Sequence, residues 1–414
     1  MPNLKLKIKN FDFLIMAIIF FNILNFSSAN SDTIKVKSWT NIYTDKSFPI
    51  NKYTENTQSN SSGIQLKLLK GAINSQISVN FKDKKKVNFD QSYFEYNINT
   101  VSLGAGKINR SWSFSPNTSL ILSTNARPAK SVYLKLKKNK SKNPIFSWIG
   151  PWSFETFNSV LSNSTGPNDT MLLGFRTVNE PIKNLKIELV KTSQWGGNGH
   201  NSNISALGAA FLGNTNESVN SNINQLAGFG ISYSSHINER TFNIYSQFIG
   251  EDEAGNLPSC FMKLYGTEFN LGDYRYPTNF GIEVVDTRID TSTTGYCGPN
   301  TAYNNGTYKY INYNTSLGAP VDTEGKSVMI WGSSKLSKNI TLNYSTKKVL
   351  INDLSWPDHR LSTTQQKGYV TALGTSWVKD AIKIKSEIIY QDFSLNKAKI
   401  FGGVSLNLTA RISF

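Results

Sequence analysis

Phe401-Gly402-Gly403-Val404-Ser405-Leu406-Asn407-Leu408-Thr409-Ala410-Arg411-Ile412-Ser413-Phe414 closes the sequence. From Val404 every second residue is apolar, and Ser405, Asn407, Thr409, Arg411 and Ser413 between them are polar. Period-two alternation suits a strand with one face on hydrocarbon and the other on water. An edge strand of a soluble sandwich would alternate in the same way. The terminal aromatic and the N-terminus favour the last strand of an outer-membrane barrel. Lys5, Lys7 and Lys9 precede an apolar stretch from Phe13 to Phe26, and Ser27-Ser28-Ala29 offers small residues for cleavage. That layout predicts a secretory signal peptide over 1–29. The alternative, a membrane anchor, needs a longer stretch than this one, which Asn22 and Asn25 interrupt. No later apolar run is long enough for a spanning helix, so insertion would be as a barrel.

Composition agrees with an exported barrel. A hydrophobic fraction of 39% suits strands that show lipid only alternate residues, and 12% aromatics suits interfacial girdles. The formal charge of +16 points to a polyanionic neighbour. Outside the cell that means acidic polysaccharide or lipopolysaccharide phosphates rather than nucleic acid. Two cysteines, Cys260 and Cys297, would lie in a compartment where a disulfide persists.

Strand-like runs follow one another from Gly63, with no convincing amphipathic helix longer than two turns. They predict strands at 63–70, 74–82, 92–101, 117–124, 130–137, 145–160, 169–178, 184–192, 224–236, 240–249, 259–270, 278–288, 325–335, 338–348, 366–378, 380–393 and 398–414. Connections between them alternate between short turns, expected in the periplasm, and long outer loops such as 193–223 and 289–324. An even strand count needs one more. Leu103–Trp112 is the expected addition, giving about eighteen. The predicted organisation is a signal peptide at 1–29, a short periplasmic segment at 30–62 and an all-β transmembrane antiparallel barrel at 63–414. Alternation puts Lys67, Lys135, Lys137, Lys186, Glu188, Lys383, Lys385, Glu387 and Arg411 in the lumen. The lumen is then either a basic, anion-attracting passage or an ordinary polar interior with Lys paired to Glu. The same topology puts Cys260 at the outer end of its strand, with Cys297 in the adjacent outer loop, so that either a disulfide staples the loop or two thiols stay free.

His200, His236 and His359 are scattered, and no Cys/His spacing suggests zinc. No Ser/His pairing marks a hydrolase, so neither catalysis nor a cofactor is expected. The run Gly250-Glu251-Asp252-Glu253-Ala254-Gly255 is open to three readings: calcium, ion pairs, or sugar hydroxyls.

Tyr245-Ser246-Gln247-Phe248-Ile249 running into that acidic loop resembles a signature of the Wzi-type capsule assembly family of the Gram-negative outer membrane. Further pieces occur in the family's order: Ser119–Ser123 leading into Asn125-Ala126-Arg127-Pro128, Gly150-Pro151-Trp152-Ser153, Ser193-Gln194-Trp195-Gly196-Gly197, Asn224–Phe229, Glu283 with Asp286-Thr287, and Leu317-Gly318-Ala319-Pro320 with Asp322. The resemblance spans about 92–414. It implies a barrel of about eighteen strands without catalysis, holding exported capsular polysaccharide on the cell surface. It also implies a periplasmic helical bundle, which the Ser-, Asn- and Lys-rich residues 30–62 do not suggest, and Asn109–Ser113 departs from the family's turn. Docking to export machinery therefore rests on the resemblance alone.

Sugar binding calls for aromatic platforms with amide or charged groups, and acidic sugars add a demand for Arg or Lys. Outer-loop candidates are Arg127, Trp195, His200, Glu251, Asp252, Glu253, Tyr303, Tyr308, Trp356 and Arg360. The expected partners are acidic capsular polysaccharide and the lipid and lipopolysaccharide of the outer membrane. An anion-preferring porin is the alternative function, and a lipid hydrolase a third that no motif supports.

Overall fold

The computed structural model describes residues 33–50, 60–82, 86–138, 148–163, 165–212, 223–237, 240–254, 257–271, 275–289 and 297–414; the expected leader, 1–29, lies outside them. The strands are β1 Thr33–Tyr43, β2 Ser61–Lys70, β3 Ile73–Lys82, β4 Lys86–Asn88, β5 Tyr93–Ile98, β6 Val101–Gly106, β7 Lys130–Lys138, β8 Trp152–Val160, β9 Met171–Ile182 and β10 Leu185–Trp195. Helix α1, Ile204–Leu212, precedes β11 Asn224–Ile237, β12 Arg240–Ala254, β13 Leu257–Asn270 and β14 Thr278–Asp286. A small hairpin, β15 Ile311–Asn312 and β16 Thr315–Ser316, leads to β17 Lys326–Lys335, β18 Ile340–Ile351, β19 Gln366–Lys379, β20 Ile382–Gln391 and β21 Gly403–Ser413.

Each large strand pairs antiparallel with its chain neighbour, and β1 closes the ring on β21, Asn41 opposite Thr409. Because β4 and β5 both run alongside β3, they fill one place in the wall, and the barrel has eighteen positions. In β21 the alternation works as read: Val404, Leu406, Leu408 and Phe414 are exposed on the outer wall, while Ser405 and Asn407 are buried toward the lumen. Most short turns gather at one rim, the turn end, and most long connections at the other, the loop end; the long link from β7 to β8 and the short one from β12 to β13 are the exceptions.

Three expectations need correction. Residues 33–43, assigned to a periplasmic segment, form a barrel strand. Ile34, Val36 and Ile42 share its outer face, but Ser38 and Thr40 dilute the apolar signal there. Residues 117–124 are not a strand: Leu120-Ile121-Leu122 are consecutive and all buried, inside a connection that dips into the lumen. The extra strand is Val101–Gly106 rather than 103–112, and its Gly104 leaves room for the Tyr133 ring against it. In addition, α1 stands inside the expected 193–223 loop, started by Asn203 Oδ1 accepting from the Ala206 amide at 2.9 Å.

The lumen differs along its length. Toward the loop end it is packed with apolar side chains, among them Trp112, Leu120, Ile121, Phe157, Leu226, Ile249, Met262, Tyr303 and Tyr310, all 3% exposed or less. Toward the turn end its wall is polar and basic.

Candidate functional site

Two connections fill the loop-end half: 107–129, and the described residues 287–289 and 297–325 of the link from β14 to β17. Strand residues that face inward hold the first. Gln247 of β12 donates from Nε2 to Trp112 O at 2.6 Å and to Glu188 Oε1 at 2.9 Å, and its Oε1 accepts from the Leu120 amide at 2.8 Å. Arg176 of β9 satisfies the far oxygen of Glu188 at 2.8 Å. Tyr245, two residues before Gln247 and so on the same face, donates to Glu283 Oε2 at 3.0 Å, and Ser115 Oγ donates to that same oxygen. Backbone groups that leave water need such partners.

A tyrosine-rich stretch holds the second connection. Tyr303 donates to Leu120 O at 2.6 Å, Tyr308 to Gly196 O at 2.9 Å and Tyr310 to Ile121 O at 2.9 Å. Asn312 donates to Arg127 O at 2.7 Å, and Ser123 Oγ to Gly318 O at 2.6 Å. Burial pushes the Tyr308 phenol up to about 12, so each hydroxyl stays protonated as a donor. Cys297 is joined to Cys260 of β13 with Cα atoms 6.2 Å apart.

The ten candidate residues therefore fall into unlike settings. Tyr303 and Tyr308 are sealed inside the plug, at 0% and 1% exposure. Trp195 is buried too, but on the outer face, packed with Leu173, Ala206 and Ala210 beneath α1. Neither setting presents a ring to a sugar, so these three are corrected to packing residues. Arg127 forks onto Asp90 at 2.7 and 3.1 Å and lies 4.2 Å over the Tyr313 ring. Those bonds to Asp90 raise its pKa and keep it charged. Arg360 forks in the same way onto buried Asp322, at 2.8 Å through Nε. His200 sits 5.5 Å from Tyr308, half-buried, and Trp356 is 38% exposed at the loop end. Glu251 through Glu253, expected in a loop, continue β12 against β13. Of Asp252 and Glu253 only the backbone is described. Among the described residues no group of three His, Cys, Asp or Glu side chains could hold a metal.

His359 is held by backbone on both sides: Nε2 donates to Thr323 O at 3.0 Å and Nδ1 accepts from the Leu361 amide at 3.1 Å. Burial keeps it neutral, its pKa below 6.5. Sequence reasoning passed over Gln247, Tyr310, Asp90 and Asp322 as roles, although Gln247 and Asp322 sit in the quoted motifs. It also missed Trp39, Asn41 and Lys37 of β1, which line a lumenal cavity of about 580 Å³ with Arg127, Lys383 and Arg411. All three were lost with the strand that carries them.

Comparison with known proteins gives these motifs a common setting. Residues 29–388 match the family described as capsule assembly protein Wzi. The chain belongs to that family. Among solved structures it is similar to Wzi of Escherichia coli, described as an outer membrane protein involved in group 1 capsule assembly and a carbohydrate-binding β-barrel. That similarity has a TM-score of 0.76 at 21% identity and covers 96% of this chain and 87% of that one. OprD of Pseudomonas aeruginosa shares the barrel more loosely, with a TM-score of 0.53 at 8% identity over 93% and 94% of the two chains. A 55.8 kDa uncharacterized protein of the Klebsiella pneumoniae cps region is 29% identical over 196 residues. The match takes in 46% of this chain but only 38% of that relative's length. Within the family frame, the Gln247, Ser193–Gln194, Asn224 and Leu317–Pro320 motifs are the pieces that seat the plug: Asn224 donates to Gln194 Oε1 and Gln194 to Lys309 O, each at 2.9 Å.

Proposed function

We propose that this protein is a non-catalytic outer-membrane barrel that binds exported capsular polysaccharide and helps attach the capsule to the cell. Its turn end would face the periplasm and its loop end the surface. The observation that carries the reading is the plug. A porin needs a continuous water-filled passage, whereas here the loop-end lumen is an apolar core sewn to the wall by buried hydrogen bonds. A barrel sealed there offers a rigid surface rather than a channel. Family membership and the description of the Escherichia coli relative support the polysaccharide. The basic balance of the chain favours an acidic one.

The test is deletion of the gene in its host, with cell-bound and released high-molecular-weight polysaccharide measured separately. The reading expects an unchanged total with a shift from bound to released. Unaltered fractions would overturn it.

A further inference from the structure

Five neighbouring staves, β20, β21, β1, β2 and β3, carry a basic lumenal wall. Registration sets its pattern. Lys383 of β20 stands opposite Arg411 of β21, and Arg411 opposite Trp39 of β1. Two residues along β1 from Trp39, Lys37 faces Gln65 of β2, and one more step of two brings Lys35 directly opposite Lys67. Directly opposed side chains stand about 5 Å apart at Cβ, and like charges so placed repel. Lys35, Lys37, Lys67, Lys383 and Arg411 make no ion pair among the described residues. Among the described residues that line the cavity the one carboxylate, Asp90, is already held by Arg127 at 2.7 Å and Lys107 at 3.6 Å. Across the barrel the position is reversed: Glu188 and Glu283 are buried and fully engaged by the plug and its anchors.

The cavity is also shaped for more than a bare anion. Trp39 borders it with its ring laid across Gly63, where a Cβ would collide with the indole. Amides of Asn41, Gln65 and Asn80 line the remainder. Asn41 is 4% exposed, and its Oδ1 is buried without a hydrogen-bond partner among the described residues. An aromatic platform, amides and cations in a space of about 580 Å³ match a short stretch of sugar units. Simple phosphate would leave the indole and amides unused.

We infer that this lumenal cavity is a binding subsite for an acidic oligosaccharide, with Lys383 and Arg411 taking a uronate carboxylate and Trp39 a sugar face. The inference rests on the proposed polysaccharide-binding role and adds the charge requirement and a place beneath the plug, which the sugar units would reach from the turn end.

The test titrates the full chain, purified in detergent, calorimetrically with trigalacturonate, maltotriose and inorganic phosphate. K383Q/R411Q is compared with the parent, and unboiled gel migration checks that both are folded. Expected are trigalacturonate binding by the parent that is stronger than for either other probe, and a loss of at least about tenfold in the variant. Absent binding by the parent, equal binding by parent and variant, or phosphate competing as well as trigalacturonate would each overturn the subsite. The gene-deletion result is independent. Capsule release on deletion, with parent-like titration of K383Q/R411Q, removes the subsite and leaves the tether. Unaltered capsule on deletion removes the tether itself.

Discussion

Substituting Gln247 by leucine keeps the volume of the side chain and deletes its polar role. The Leu120 amide then has no acceptor, because Gln247 Oε1 is its partner at 2.8 Å. Glu188 Oε1 loses a donor at 2.9 Å, in a residue with 0% exposure. Trp112 O is spared in part, since Ser119 Oγ still donates to it at 2.7 Å. One orphaned buried amide costs about 1–3 kcal/mol and a lost bond to a buried carboxylate about 1.5–3, so the seated plug loses about 2.5–6 kcal/mol. The surrounding barrel keeps its ladders. At about 1.4 kcal/mol per tenfold, the unseated plug becomes roughly sixty to twenty thousand times more populated. Planar-bilayer recording should show frequent openings in Q247L where the parent is almost silent, and its host should become more sensitive to large antibiotics. A Q247L barrel that is folded yet as silent as the parent would refute the assignment of Gln247 as the clasp of the plug.

Other perturbations test separate parts. Breaking the Cys260–Cys297 link, across a sequence separation of 37, should cost the connection about 3–4 kcal/mol of ordering; C260S/C297S should speed protease cleavage within 297–325 and leave the barrel fragment intact. Acid should loosen the loop end in a definite order. His359, its pKa lowered by burial, contributes stability above its ordinary 6.5 that is lost as pH falls through the lower folded value. Burial raises the Asp322 carboxyl, but Arg360 outweighs this and holds it below 3.8, so its contribution goes only at still lower pH. Loop proteolysis followed downward in pH should show two steps, and H359N should remove the first. W356A, which removes a ring 38% exposed and otherwise covered, should lower stability by about 1–3 kcal/mol; as a contact of polysaccharide, Trp356 should also take cell-bound capsule down with it.

The barrel was legible because lipid and water impose period two on every stave, so Val404 to Phe414 declares its two faces outright. Strand β1 hid because Ser38 and Thr40 occupy outer-face positions where apolar residues would have signalled a strand. The stretch 117–124 misled for the converse reason: its three consecutive apolar residues suit a segment surrounded by protein, which a short strand also resembles. Candidate residues suffered from a different ambiguity. Tyrosine and tryptophan serve equally as a buried donor and as a sugar platform, and only burial separates Tyr303 and Tyr308 from Trp356. Arginine behaves likewise: the forks of Arg127 onto Asp90 and Arg360 onto Asp322 join residues 37 and 38 positions apart, which no local pattern announces.

The pairing of Asn41 with Thr409 gives the molecule a history as well as a shape. Its wall is one ribbon bent until the first stave meets the last, so the closing hydrogen bonds are the most distant in sequence and the costliest in loop entropy. Until β21 arrives, β1 is an open edge, able to pair with any other strand nearby. The chain must therefore be escorted with that edge covered, and the last stave to be delivered is the one that turns a sticky sheet into a finished vessel.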